Sequence, residues 1–118
     1  IHDIHNYPNP VLYLYDPERV NVLGEYGGIG WPVEGHLWQT DENWGYIQYK
    51  SADEVLETYE TYALQLESLA DYGFSSAIYT QITDVEGEVN GLMTYDRKVV
   101  KLDVDRLRHI NTIVINSL

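Results

Sequence analysis

The sequence contains no cysteine. Disulfides, thiolate metal sites and cysteine nucleophiles are therefore excluded together, and the redox compartment stays undetermined. Basic residues are scarce: 7 Lys+Arg stand against 19 Asp+Glu, a formal net charge of -12. Nucleic acid and anionic membranes both need a basic face to meet phosphate, so neither is expected as a partner. No apolar run approaches the roughly 20 residues of a membrane span. The opening Ile1-His2-Asp3 lacks the basic and apolar regions of a secretory signal. Nor is there a His-Glu-x-x-His zinc pattern, a P-loop or a Gly-x-Ser-x-Gly elbow. Phenylalanine is nearly absent, with 1 Phe against 11 Tyr and 3 Trp. Such rings suit surfaces that hold polar ligands, but they are equally ordinary as half-buried residues.

What is present fits one folded domain, residues 1–118, because a hydrophobic fraction of 44% supplies a core and a charged fraction of 22% is ordinary. Ser51-Ala52-Asp53-Glu54 has the form of a capping box and predicts a helix start. Val55, Leu56, Tyr59, Tyr62, Ala63, Leu66, Leu69 and Ala70 follow at helical spacing, and Gly73 can end the helix. A second helix is predicted from about Asp103, with Val104, Leu107, Ile110, Ile113 and Val114 as its stripe, although Ile113-Val114-Ile115 is β-branched. Strand character lies in Ile1 to Tyr7, in Val20 to Gly24 running into Glu25, and in Phe74 to Gln81. A short helical turn is expected at Asp16-Pro17-Glu18. Strand, helix, strand, helix in succession predicts parallel α/β architecture. The long connections from Tyr26 to Lys50 and from Ile82 to Leu102 each follow a strand's C-terminal end, where such folds place ligands.

Glu25 ends a strand beside the flexible Tyr26-Gly27-Gly28. Strict alternation puts it on one face with Asn21 and Leu23. It reads equally as a catalytic carboxylate and as one that caps the strand by accepting from loop amides. Asp84, Glu86, Glu88 and Asn90 also alternate, which suits a hard cation, but the EF-hand spacing fails because Tyr95 stands where the last glutamate would be. A loop whose carboxylates hold neighbouring backbone, or the arginine of Asp96-Arg97-Lys98, fits better than a metal site.

Asn21-Val22-Leu23-Gly24-Glu25-Tyr26-Gly27-Gly28 resembles the nucleophile segment of glycoside hydrolase family 2, the β-galactosidase and β-glucuronidase family. Asp3-Ile4-His5-Asn6-Tyr7 is similar to the end of that family's sixth strand, and Ala77 to Asp84 to its eighth, continued by Val85 to Leu92. The resemblance covers nearly the whole chain. It implies the C-terminal three-strand portion of a (β/α)8 TIM barrel, with parallel strands and helices, incomplete as it stands. It implies a retaining hydrolase of β-linked glycosides, with Glu25 as nucleophile and Tyr7 orienting it by a hydrogen bond. Trp31, His36, Trp38, Thr80 and Asp84 are then the residues expected to contact the carbohydrate substrate, with no cofactor and no metal. His36 can reach a sugar hydroxyl, though a structural role is the commoner one for such a residue.

Thr80-Gln81 departs from the family, many members of which have a Trp-Asn or Trp-Asp pair there, so the usual sugar platform is missing and the substrate is left open. The family's acid/base residue lies in an Asn-Glu pair, and no Asn-Glu dipeptide occurs in this chain. A retaining mechanism needs that second carboxyl group to protonate the leaving oxygen, so no hydrolysis is expected from these residues alone. The rest of the barrel, or self-association through exposed sheet edges, is the expected protein partner. The alternative reading is a non-catalytic carbohydrate-binding or interaction module. The compartment is open, and a periplasmic or secreted location is admitted.

Overall fold

The computed structural model describes residues 1–118. Its longest helix, α1 (Ala52–Ala70), begins at the predicted cap: the Ser51 hydroxyl accepts from the Glu54 backbone N–H at 3.3 Å. The return bond differs from an ideal capping box, since the Glu54 carboxylate accepts from the Lys50 N–H at 3.0 Å and from the Ser51 hydroxyl at 3.1 Å. Val55, Leu56, Tyr59, Tyr62, Ala63 and Leu66 are buried along one face, whereas Leu69, in the last turn, is only half-buried. The chain leaves α1 through Gly73, whose φ of +89° an L side chain rarely adopts. Replacing Ser51 by alanine removes the cap acceptor, and we expect a loss of about 1 kcal/mol in urea unfolding. An unchanged midpoint would show that Glu54 alone organises this end.

Helix α2 (Val104–Ser117) is capped by Asp103, whose side chain accepts from the Arg106 N–H at 2.8 Å. The β-branched run does not interrupt it, and of its predicted stripe only Ile110 is fully buried. Arg106 donates to both carboxylate oxygens of Glu60 on α1, at 3.0 and 2.7 Å, which ties the two helices at their surface. No helix is long and apolar enough to cross a membrane.

The strands are β1 (His2–His5), β2 (Asn21–Gly27), β3 (Ile29–Gly30), β4 (Ile47–Gln48) and β5 (Phe74–Thr80). The first, second and fifth form a parallel sheet in the order β1-β2-β5, and β3 pairs with β4 in a separate parallel sheet. Ile4, Leu23, Tyr26, Ile29 and Phe74 pack against the buried face of α1, with Leu102 and Ile110 closing the same core.

The expected barrel portion is not what forms. A (β/α)8 unit places a helix after each strand. Here residues 6–20, between β1 and β2, contain no helix, only irregular chain with bends and one turn, and the chain after β2 builds a second sheet before any helix. Pro8, Pro10 and Pro17 explain the first difference, because each removes a backbone donor and fixes φ in a segment that would have to be helical. The expected helical turn at Asp16-Pro17-Glu18 is likewise a non-helical turn, in which the Asp16 carboxylate accepts from the Glu18 N–H at 2.8 Å. The result is a small α/β body: three parallel strands, a two-stranded accessory sheet and two helices.

Candidate functional site

Parallel strands deliver their C-terminal ends to one edge of the sheet. Tyr7 follows β1, Glu25 lies near the end of β2, and Thr80 is the last residue of β5. The Tyr7 hydroxyl is 2.7 Å from Glu25 Oε2 and 2.8 Å from Thr80 Oγ1. A phenol has one hydrogen. Donated to the carboxylate, it leaves the phenol oxygen to accept from Thr80. The chain Thr80 to Tyr7 to Glu25 therefore spans all three strands of the main sheet, and it is directed at one carboxylate oxygen. No hydrogen bond within the protein reaches Oε1.

A β-bulge aims Glu25. The pairing with β1 steps from Ile4–Leu23 to His5–Glu25, and the pairing with β5 from Leu23–Ala77 to Tyr26–Tyr79, so β2 carries one extra residue against each neighbour. Leu23 and Tyr26, three apart in sequence, consequently enter the same core. Strict alternation, which would set Glu25 on the face of Leu23, is broken at Gly24. A Cβ added to Gly24 would lie 2.1 Å from Asp3 Oδ1, so the space a side chain would fill at this residue is taken by the Asp3 carboxylate.

Asp3 holds a further residue at the site. Its Oδ2 is 3.1 Å from His5 Nε2, while His5 Nδ1 is 3.6 Å from Glu25 Oε2. Both neighbours of the ring are acceptors, so only the doubly protonated imidazole can donate toward both. The sequence signal for His5 is the alternation of Asp3, His5 and Tyr7 along an extended segment, which sets all three on one side.

Burial, followed by the Glu25 carboxylate, outweighs the Thr80 hydrogen bond and pushes the Tyr7 phenol up to about 12. A raised folded-state value means that the stability Tyr7 contributes is complete below its ordinary pKa of 10.0 and is lost as pH rises from there to about 12. Tyrosinate absorbance should show this directly. The ionisation missing from Tyr7→Phe is expected near pH 12 rather than pH 10 while the fold persists. A missing step at the ordinary value would remove the phenol from its half-buried, carboxylate-facing place.

The remaining expected site residues are distributed as follows. Trp31 is half-buried against the core, and its carbonyl accepts from Lys101 Nζ at 2.9 Å. His36 Nδ1 lies 2.8 Å from Asp96 Oδ2, joining the two long connections. Asp96 also accepts from the Thr94 hydroxyl, and these two bonds hold its carboxyl well below the usual carboxylate range. Trp38 is 62% exposed and meets Tyr95 edge-on, with centroids 5.5 Å apart. Asp84 is buried, where its Oδ1 accepts from Lys101 Nζ at 2.7 Å and from the Gly91 N–H at 2.8 Å. Its partners are thus a lysine and local backbone, and neither it nor His36, Trp31 or Trp38 makes a hydrogen bond to Glu25, Tyr7 or Thr80.

Two aromatic residues that carry no sequence motif do reach the site. Tyr46 stacks on Tyr7, with ring centroids 3.7 Å apart and planes at 8°, and Trp44 meets Tyr46 at 5.6 Å and 68°. By contrast, an apolar cleft lined by Tyr59, Leu66, Phe74, Val114, Ile115 and Leu118 contains no carboxylate or imidazole side chain. No model of a known protein family matches the chain, and no curated protein matches it.

Proposed function

We propose that this chain supplies the nucleophile side of a retaining glycoside hydrolase acting on β-linked carbohydrates. Glu25 is the attacking residue and Tyr7 is the residue that orients it. The observation that carries this reading is the asymmetry of the Glu25 carboxylate. Oε2 is fixed by Tyr7, which Thr80 fixes in turn, and Oε1 is free to bond an anomeric carbon. A carboxylate serving only to cap its strand would accept from loop amides, whereas the side-chain bond of Glu25 comes from a tyrosine at the end of another strand. The motif resemblance around Glu25 and Tyr7 supports the same assignment.

Retention requires a second carboxyl group about 5–5.5 Å from the first to protonate the leaving oxygen. The test should therefore use a reagent that needs no proton donor. A β-galactoside carrying a dinitrophenolate leaving group, and fluorine in place of the hydroxyl next to the anomeric carbon, meets this condition. Oε1 forms the bond to the anomeric carbon, the bond to dinitrophenolate breaks, and the phenolate departs with the electron pair. One fluoroglycosyl group per chain, located on Glu25 by peptide mass spectrometry, is the expected product. Labelling elsewhere, or none with the galacto, gluco and manno reagents alike, would remove the nucleophile assignment. The alternative of a sugar-binding module without chemistry would then be favoured only if sugars bind.

A further inference from the structure

Tyr46 stacks on Tyr7, the residue that bonds Glu25, and Trp44 meets Tyr46 in turn; neither takes part in the hydrogen bonding of Glu25. One face of Tyr46 is covered by Tyr7, yet Tyr46 remains 49% exposed and Trp44 44% exposed. Their backbone is nonetheless fixed. The Trp44 N–H donates to the Gly87 carbonyl and its carbonyl accepts from the Val89 N–H, both at 2.8 Å, while the Ile47 N–H donates to the Gly28 carbonyl at 3.2 Å. Gly28 has a φ of +64°, and a Cβ there would lie 2.4 Å from the Tyr46 ring, so the bare backbone at this turn is what admits the ring. The two rings are held in place while much of their surface stays in water, an arrangement that core packing does not require.

Through Tyr7 the rings join the polar groups of Glu25 and Thr80, with His5 and Asp3 beyond Glu25, and none of these is paired to a lysine or arginine. A ligand that fits must offer an apolar face to the rings and neutral hydroxyls to acceptors, and must carry no negative charge toward two carboxylates. A pyranose ring meets these conditions: its axial C–H bonds make one flat apolar face, and its hydroxyls form the rim. The indole N–H and the phenol O–H supply amphipathic edges of the kind such a rim can use.

We propose that Trp44 and Tyr46 form a binding wall for the apolar face of a neutral pyranose, joined to Glu25 through Tyr7, which selects neutral hexopyranosides over uronides. The proposal rests on the carbohydrate part of the reading given to Glu25. The test titrates the full chain with the methyl β-pyranosides of galactose, glucose and mannose and with methyl β-glucuronide, while following the three tryptophan indole N–H signals by NMR. The Trp44 signal is identified by its loss in Trp44→Phe. At least one neutral glycoside should shift that signal saturably, and the glucuronide should bind about tenfold more weakly or worse. Tyr46→Ala should weaken binding by about tenfold, and Tyr46→Phe, which keeps the ring and the fold, by no more than about threefold. The wall is overturned if no sugar shifts the Trp44 signal, if only Trp38 responds, if the glucuronide binds as well as the neutral sugars, or if Tyr46→Phe loses as much as Tyr46→Ala. Fluoroglycoside labelling separates the two proposals: labelling without a Trp44 response removes the wall and keeps the nucleophile, and the reverse result does the opposite.

Discussion

Replacing Lys101 by methionine should cost the fold about 3–5 kcal/mol, a large share of the roughly 5–15 kcal/mol that holds a domain together. The Lys101 and Asp84 side chains are 0% and 3% exposed, with Nζ and Oδ1 2.7 Å apart. The ammonium group has three hydrogens and three acceptors, since it also donates to the carbonyls of Trp31 and Val89 at 2.9 Å each. Methionine preserves much of the volume but leaves the buried carboxylate without its counter-charge and the Trp31 carbonyl without its donor, while the Val89 carbonyl keeps the Trp31 N–H at 2.9 Å and Asp84 keeps the Gly91 N–H. Burial pushes Asp84 above, and Lys101 below, their ordinary values, against the effect of their mutual attraction. The charged pair is therefore held at a desolvation cost, and the double variant Asp84→Asn/Lys101→Met should recover most of what Lys101→Met loses.

The pH dependence follows from the same directions. An acid raised in the folded state contributes stability that is present below its unfolded value and lost as pH rises through the folded one. Removing the lysine raises Asp84 further. The deficit of Lys101→Met should then shrink as pH falls from neutral toward 3.8, the ordinary value for this carboxyl, as Asp84 takes up a proton. Urea unfolding across that range reads both effects. A loss below about 1 kcal/mol at neutral pH, or a deficit that grows on acidification, would contradict the burial argument.

Lys101 also shows how far local sequence reaches. Nothing near it in the chain signals a buried cation, because its acceptors come from residues 31, 84 and 89. The two helices were legible for the opposite reason. Ser51 and Asp103 cap through bonds three residues long, and the stripe of α1 repeats within one element. Of the three strands of the main sheet, β2 and β5 were legible by their β-branched and aromatic residues, whereas β1, with Ile4 alone of that type, was marked mainly by the prolines that follow it. How they connect was not legible: the barrel expectation assumed a helix after each strand, and the prolines between Tyr7 and Pro17 give irregular chain instead. The accessory sheet was hidden because β3 and β4 are two residues each, too short for any period to register. The bulge at Gly24 was hidden as well, since an inserted residue is defined by the partners' register rather than by the strand's own composition. Of the candidate site, Glu25, Tyr7 and Thr80 come together, whereas His5 and Tyr46 join them through geometry that only the assembled sheet creates.

Glu25→Gln should abolish fluoroglycoside labelling, and Tyr7→Phe should slow it by roughly tenfold to a hundredfold. Glutamine keeps the size of Glu25 and an oxygen for the Tyr7 bond, so the fold should persist, but a neutral amide is a poor nucleophile toward an anomeric carbon. Tyr7→Phe keeps the stack on Tyr46 and deletes one hydrogen bond to a carboxylate, an interaction worth about 1.5–3 kcal/mol, and each 1.36 kcal/mol is about tenfold in rate. That bond holds the carboxylate rather than the sugar, so the loss should fall on the saturating rate and leave the half-saturating reagent concentration nearly unchanged. Thr80→Val tests the next link. It reaches the carboxylate only through Tyr7, and its effect should be smaller than that of Tyr7→Phe and absent in the double variant. Equal labelling of Glu25→Gln and the natural chain would transfer the chemistry to another residue. If Tyr7→Phe raised the half-saturating concentration and spared the rate, Tyr7 would be a sugar contact instead of the group that aims the nucleophile.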